Sequence, residues 1–148
     1  MEAIILTGLQ GAGKTTFYQE RFAATHQHLS LDLLRTRQRE QQALQECIAR
    51  RQPFVVDNTN PTAVDRARYI APARTAGFRV VGYHFDLPLA LCLARNAARP
   101  AGQRIPIPGI RATHKRLQPP TLEEGFDTLY VVRQDTEGTL AIELVTEH

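Results

Sequence analysis

The sequence predicts an α/β protein built on a parallel sheet with helices on both faces. Three observations carry this expectation. Short β-branched runs alternate with longer helix-like stretches along the chain. Two of those runs, AIILT at 3–7 and FVVD at 54–57, are nearly continuous apolar segments, as strands covered on both sides are. A glycine-rich turn from Gly8 to Thr15 then joins the first run to the first helical stretch. No linker or second core interrupts the pattern, so residues 1–148 are expected to form a single domain.

In order, residues 2–7 read as a buried strand and 14–25 as a helix leaving the glycine turn. HLSL at 28–31 is a short strand, and 32–50 a long polar helix ending before Pro53. FVVD is the third strand. Asn60 before Pro61 looks like an N-cap followed by proline at the first helical position, in a helix running to Gly77 with Pro72 as a kink point. FRVVGYHF at 78–85 is a strand and 88–99 a helix. The proline-rich connection RPAGQRIPIPG leads into a helix at 107–117. TLYVVRQ and TLAIELV, separated by DTEG, read as last strands in a hairpin.

The composition, 43% hydrophobic and 22% charged, is that of an ordinary globular protein. No apolar run approaches the ~20 residues that span a bilayer, and the N-terminus lacks the layout of a secretory leader. A cytoplasmic protein without a membrane partner is expected, and no protein partner is evident. Cys47 and Cys92 lack metal-ligand spacing and read as reduced thiols. The net charge is only +3, but no acidic residue occurs between Asp86 and Glu123, while Arg95, Arg99, Arg104, Arg111, Lys115 and Arg116 fall there. Such a window is either a solvated basic helix face or a surface for polyanions.

Gly8-x₄-Gly13-Lys14-Thr15 matches the P-loop pattern G-x-x-x-x-G-K-[ST], between a strand and a helix as that pattern requires. Gly8, Gly11 and Gly13 let the backbone turn so that successive N–H groups, through Ala12 to Thr16, converge on phosphates. Lys14 supplies an ammonium for the β- and γ-phosphates, and the Thr15 hydroxyl suits Mg²⁺. A nucleoside triphosphate, ATP with Mg²⁺, is the expected ligand.

Three further segments bear on what receives the phosphoryl group. Asp32 and Arg35 follow the second strand, where the carboxyl ends of a parallel sheet border the ligand crevice. Asp32 could accept a hydroxyl proton and Arg35 could hold an anion; an N-cap and a surface ion pair are the alternatives. Asp57 ends the third strand in the position of a Walker-B-type acidic residue, where it could hold Mg²⁺ through water or position the acceptor and Lys14, followed by the turn formers Asn58, Thr59 and Asn60. Arg95 and Arg99 share a helix face, with Arg104 in the loop beyond. They are either solvent-exposed or carried by a closing lid that neutralises transferring phosphate.

Taken in order, the P-loop, the Asp-x-x-Arg, VVDNTNP, RNAAR followed by RIPI, and P…EGF resemble the polynucleotide 5′-kinases, over about residues 1–133. That resemblance implies a P-loop kinase-type fold and ATP-dependent phosphorylation of a DNA or RNA 5′-hydroxyl. It implies Lys14 and Thr15 on ATP and Mg²⁺, Asp32 as general base, and Arg35 on the acceptor phosphate. It further implies Asp57 at the acceptor site, Arg99 on the transferring phosphate and Arg95 on the nucleotide; Asn58, next to Asp57, is a further candidate for substrate binding. The length leaves no room for the phosphatase or ligase domain that end-repair kinases often carry, so only the kinase activity is expected. Kinases of small hydroxyl-bearing molecules (sugars, nucleosides, antibiotics) share the layout, and so do non-catalytic nucleotide-binding proteins.

Overall fold

The computed structural model describes residues 1–146. Six strands form one sheet: β1 (Glu2–Gly8), β2 (Gln27–Leu29), β3 (Phe54–Asp57), β4 (Arg79–Phe85), β5 (Thr128–Gln134) and β6 (Leu140–Leu144), in the order β2-β3-β1-β4-β5-β6. The first five pair parallel, and β6 returns antiparallel on β5 as the expected hairpin. The helices are α1 (Lys14–Arg21), α2 (Leu31–Leu34), α3 (Arg37–Ala49), α4 (Ala63–Thr75), α5 (Leu89–Ala97) and α6 (Ile107–Arg116).

Because successive strand residues point to opposite faces, the apolar runs feed two cores. Ile5, Val56, Val80 and Leu129 pack with Leu44 of α3 and Tyr69, Ile70 and Ala73 of α4. Ile4, Leu6, Val55, Val81 and Val132 pack with Phe17 of α1 and Cys92 of α5 on the other face. Each fully buried large aliphatic side chain contributes about 1.5–3 kcal/mol. β1 lies between β3 and β4, at the switch point where the sheet order reverses, so the turn after it opens into a crevice.

Three local expectations are corrected. The first helix stops at Arg21 rather than residue 25, because the chain must turn through Phe22–His26 to enter β2. The long helix at 32–50 is two helices. Ser30 caps α2 and Thr36 caps α3, accepting from the N–H groups of Asp32 and Arg39, and Arg35 between them takes a left-handed φ of 76°. Asn60 is not an N-cap: its φ is 44° and its amide donates to the Leu6 carbonyl at 2.8 Å. The cap of α4 is Thr62, in a reciprocal capping box with Asp65.

The EGF segment is structural. The Arg66 guanidinium, wholly buried, meets both Glu124 carboxylate oxygens at 2.7 and 3.0 Å, and Phe126 enters the α4-side core.

Candidate active site

The turn after β1 folds over the N-terminus of α1. Gly11 and Gly13 have φ of 83° and 90°, values that only glycine adopts freely. A side chain at Gly11 would begin 2.7 Å from the Cys92 carbonyl, so α5 packs directly on the loop. One at Gly13 would begin 3.4 Å from an Arg95 guanidinium nitrogen, which places Arg95 over the α1 N-terminus. The Gly8 amide donates to the Thr59 carbonyl at 3.1 Å, tying the turn to the segment after β3. Ala12 is buried in the core beneath the loop.

The Lys14 ammonium is buried and donates to the Gly8 and Leu9 carbonyls at 2.9 and 2.7 Å. Burial lowers its pKa from 10.5 to about 8, against the opposing pull of the Asp57 carboxylate. Asp57 is buried as well, and its Oδ2 accepts from the Thr15 hydroxyl and from His28 Nε2, each at 2.8 Å. Burial alone would raise the Asp57 pKa, but these two hydrogen bonds and the Lys14 charge bring it below the usual carboxylate value. The His28 ring stacks on Tyr18 with centroids 4.0 Å apart.

Gly11, Gly13, Lys14, Thr15, Thr16, Asp32, Asp57, Asn58 and Arg99 all line one cleft of about 370 Å³ at the carboxyl edge of the sheet. Gly8 and Ala12 lie beneath that lining, Arg95 beside it, and Arg35 is exposed and does not contribute to it. The Asp32 carboxylate makes no hydrogen bond or ion pair among the described residues, and the cap that was its alternative role comes from Ser30. The Asn58 amide is engaged: its oxygen accepts from Leu31 N–H at 2.9 Å, and its nitrogen donates to Glu40 at 2.7 Å. The loop after α5 is tied back by Asn96, which exchanges two hydrogen bonds with the Ile105 backbone at 2.7 and 2.9 Å.

Residues 4–120 match the family model described as AAA domain. The chain belongs to the AAA domain family. It is also 26% identical, over 129 residues, to a bifunctional polynucleotide phosphatase/kinase of Schizosaccharomyces pombe. That match takes in 84% of the chain but only 32% of the fungal protein, so the chain spans about a third of its length. Among solved structures, it is similar to a gluconokinase from Sinorhizobium meliloti 1021 at a TM-score of 0.62 and 18% identity, over 89% of this chain and 82% of that one. It is similar to Chaetomium thermophilum Kti12 in complex with ADP-AlF3 at 0.67 and 16%, over 92% of each chain. A sugar kinase from Janibacter sp. HTCC2649 aligns at 0.67 and 13%, over 90% and 85% of the two chains. These likenesses show the fold, that of the P-loop kinases.

Arg116, from the basic window, lines the cleft. Sequence reasoning passed over several other residues that this AAA domain brings to the cleft or beside it: Arg37, Gln10 and Asp65 line it, and His28 holds Asp57 from behind. Arg37 had a readable signal, since Thr36 is a good cap that starts a new helix there; His28, inside a three-residue strand, had none.

Proposed function

We propose that the chain is a kinase that transfers the γ-phosphoryl group of ATP to the 5′-hydroxyl of a DNA or RNA strand. The observation that carries the reading is Asp32: a carboxylate with no hydrogen-bond or ion-pair partner among the described residues, in the same cleft as Lys14 and Arg99. A carboxylate held that way is available to take a proton.

The N–H groups of the Gly11–Thr16 turn and the Lys14 ammonium would hold the β- and γ-phosphates, with Arg95 on the nucleotide beside them. Thr15 and Asp57 suit Mg²⁺, Asp57 through water: two oxygens meet there, and this ion takes few protein ligands and keeps several waters. Bound Mg²⁺ would supply charge neutralisation on the phosphates. Asp32 removes the proton of the acceptor hydroxyl as its oxygen bonds to the γ-phosphorus, and ADP leaves. Arg99 neutralises charge on the γ-oxygens during transfer. Asp57 and Asn58 form the acceptor side of the cleft, Asn58 by fixing the start of α2.

A nucleic-acid acceptor is supported by the order of motifs, by the likeness to the fungal enzyme and by Arg116 at the cleft. A second reading is favoured by one observation: Arg111 and Lys115 are exposed and lie outside the cleft lining. On that reading the acceptor is a sugar, a nucleoside or another small alcohol. Labelled ATP offered with a 5′-OH oligonucleotide, free nucleosides and sugars separates the two. Preferential labelling of the oligonucleotide supports the first reading, and labelling confined to a small alcohol overturns it.

A further inference from the structure

Two residues beyond Arg35, the structure brings a different arginine to the cleft. Arg35 sits at the break between α2 and α3, exposed and outside the cleft lining. Arg37 opens α3 and lines the cleft together with Asp32.

Arg37 is braced from the protein side. Its Nη1 donates to Glu40 Oε1 at 3.0 Å and to the Tyr69 hydroxyl at 2.9 Å. Tyr69 donates in turn to Glu40 Oε1 at 2.6 Å, and Asn58 donates to the other Glu40 oxygen at 2.7 Å. Glu40 is 1% exposed, and a carboxylate so buried is tolerated only when its oxygens are satisfied by charged or polar partners. Only Nη1 of the guanidinium is used. Nε and Nη2 have no hydrogen-bond partner among the described residues, and about half of the side chain is exposed. A guanidinium fixed along one side and open on the other is suited to a phosphate oxygen pair.

We propose that Arg37, rather than Arg35, binds the anionic phosphate that flanks the acceptor hydroxyl, and that Glu40 and Tyr69 are the positioning residues that aim it. The proposal rests on the kinase reading above, and it names the acceptor class as an alcohol next to a phosphodiester. The same Asn58 that satisfies Glu40 also caps the α2 backbone at Leu31, one residue before Asp32. One buried carboxylate therefore sets the base and the anion contact in a common register.

The test compares two 5′-OH dinucleotides, one with an ordinary phosphodiester and one with a neutral methylphosphonate linkage. The wild-type enzyme should prefer the charged acceptor. Arg37→Ala should reduce that preference about 10- to 100-fold through KM, the range expected for charged hydrogen bonds, and at least tenfold more than Arg35→Ala does. Tyr69→Phe keeps the ring in the core but removes the hydroxyl. It should move KM for the charged acceptor in the same direction, by less, with kcat retained. Loss of preference in Arg35→Ala but not in Arg37→Ala overturns the assignment, as does a wild-type enzyme indifferent to linkage charge. A wild-type enzyme that labels neither dinucleotide overturns the kinase reading and this proposal with it.

Discussion

Lys14 holds its ammonium almost wholly buried at the floor of the cleft, bonded to two backbone carbonyls of its own loop. With its pKa near 8, the free protein begins to lose this charge just above neutrality. The folded state thus binds that proton more weakly than the unfolded chain, so from this group stability rises with pH between about 8 and 10.5. Nucleotide phosphates favour the charged form. ATP binding should therefore take up a proton above about pH 8, and affinity should fall as pH rises further. Calorimetry at pH 8.5 in two buffers of different ionisation enthalpy would read this uptake, and identical heats in both would refute it. Asp32 poses a cleaner question, since Ser30 does the capping. Asp32→Asn should lower kcat by at least about 10²-fold, the usual worth of a placed base, with the melting temperature little changed. Full activity in that variant would remove Asp32 from the chemistry. The sequence made Asp32, Lys14 and Asp57 visible because strand ends and the glycine turn fix where they stand. It could not show His28 on Asp57 or Tyr69 on Arg37, because those contacts join segments distant in the chain.

At the scale of elements, α5 and the loop behind it form one side of the cleft. Arg95 and Arg99 ride on this unit, and Asn96 between them fastens Ile105. Replacing Asn96 by Ala leaves a buried backbone N–H and C=O without partners, at about 1–3 kcal/mol. The expected result is a lower melting temperature and a reduced kcat, because Arg99 loses its fixed approach. Arg99→Ala alone should lower kcat by up to ~10³-fold, as arginine fingers do, with KM for ATP little changed. A purely KM effect would make Arg99 a ground-state contact. That RIPI follows RNAAR was legible in the sequence, but not that Asn96 ties the two together. Their spacing looks like a free loop until one asparagine is seen to accept from and donate to the same residue. The division of 32–50 was more legible, because Ser30 and Thr36 are both strong cap formers. Residues 32–50 nonetheless read together as one polar helix.

For the molecule as a whole, alternation of strands and helices was enough to foresee the parallel sheet and its two covered faces. Strand order was not foreseeable, since it depends on which crossovers pack and not on any single segment. No helix among the described residues is long and apolar enough to cross a membrane. The buried Arg66–Glu124 pair spans the domain, from α4 to the turn that precedes β5. Removing one member of such a pair strands the other charge, at a cost of about 3–5 kcal/mol. Glu124→Ala should therefore lower the denaturation midpoint substantially, whereas a change under 1 kcal/mol would mean that the guanidinium finds water. The same pair has a consequence for where this protein can be cut. The AAA domain match ends at residue 120, four residues short of Glu124. A fragment ended there would strand Arg66, take Leu129 and Val132 from the two cores, and bare the edge of β4. The unit that melts cooperatively thus outruns the recognisable family segment, and protease trimming should spare the stretch from 121 to 134 until the whole domain opens.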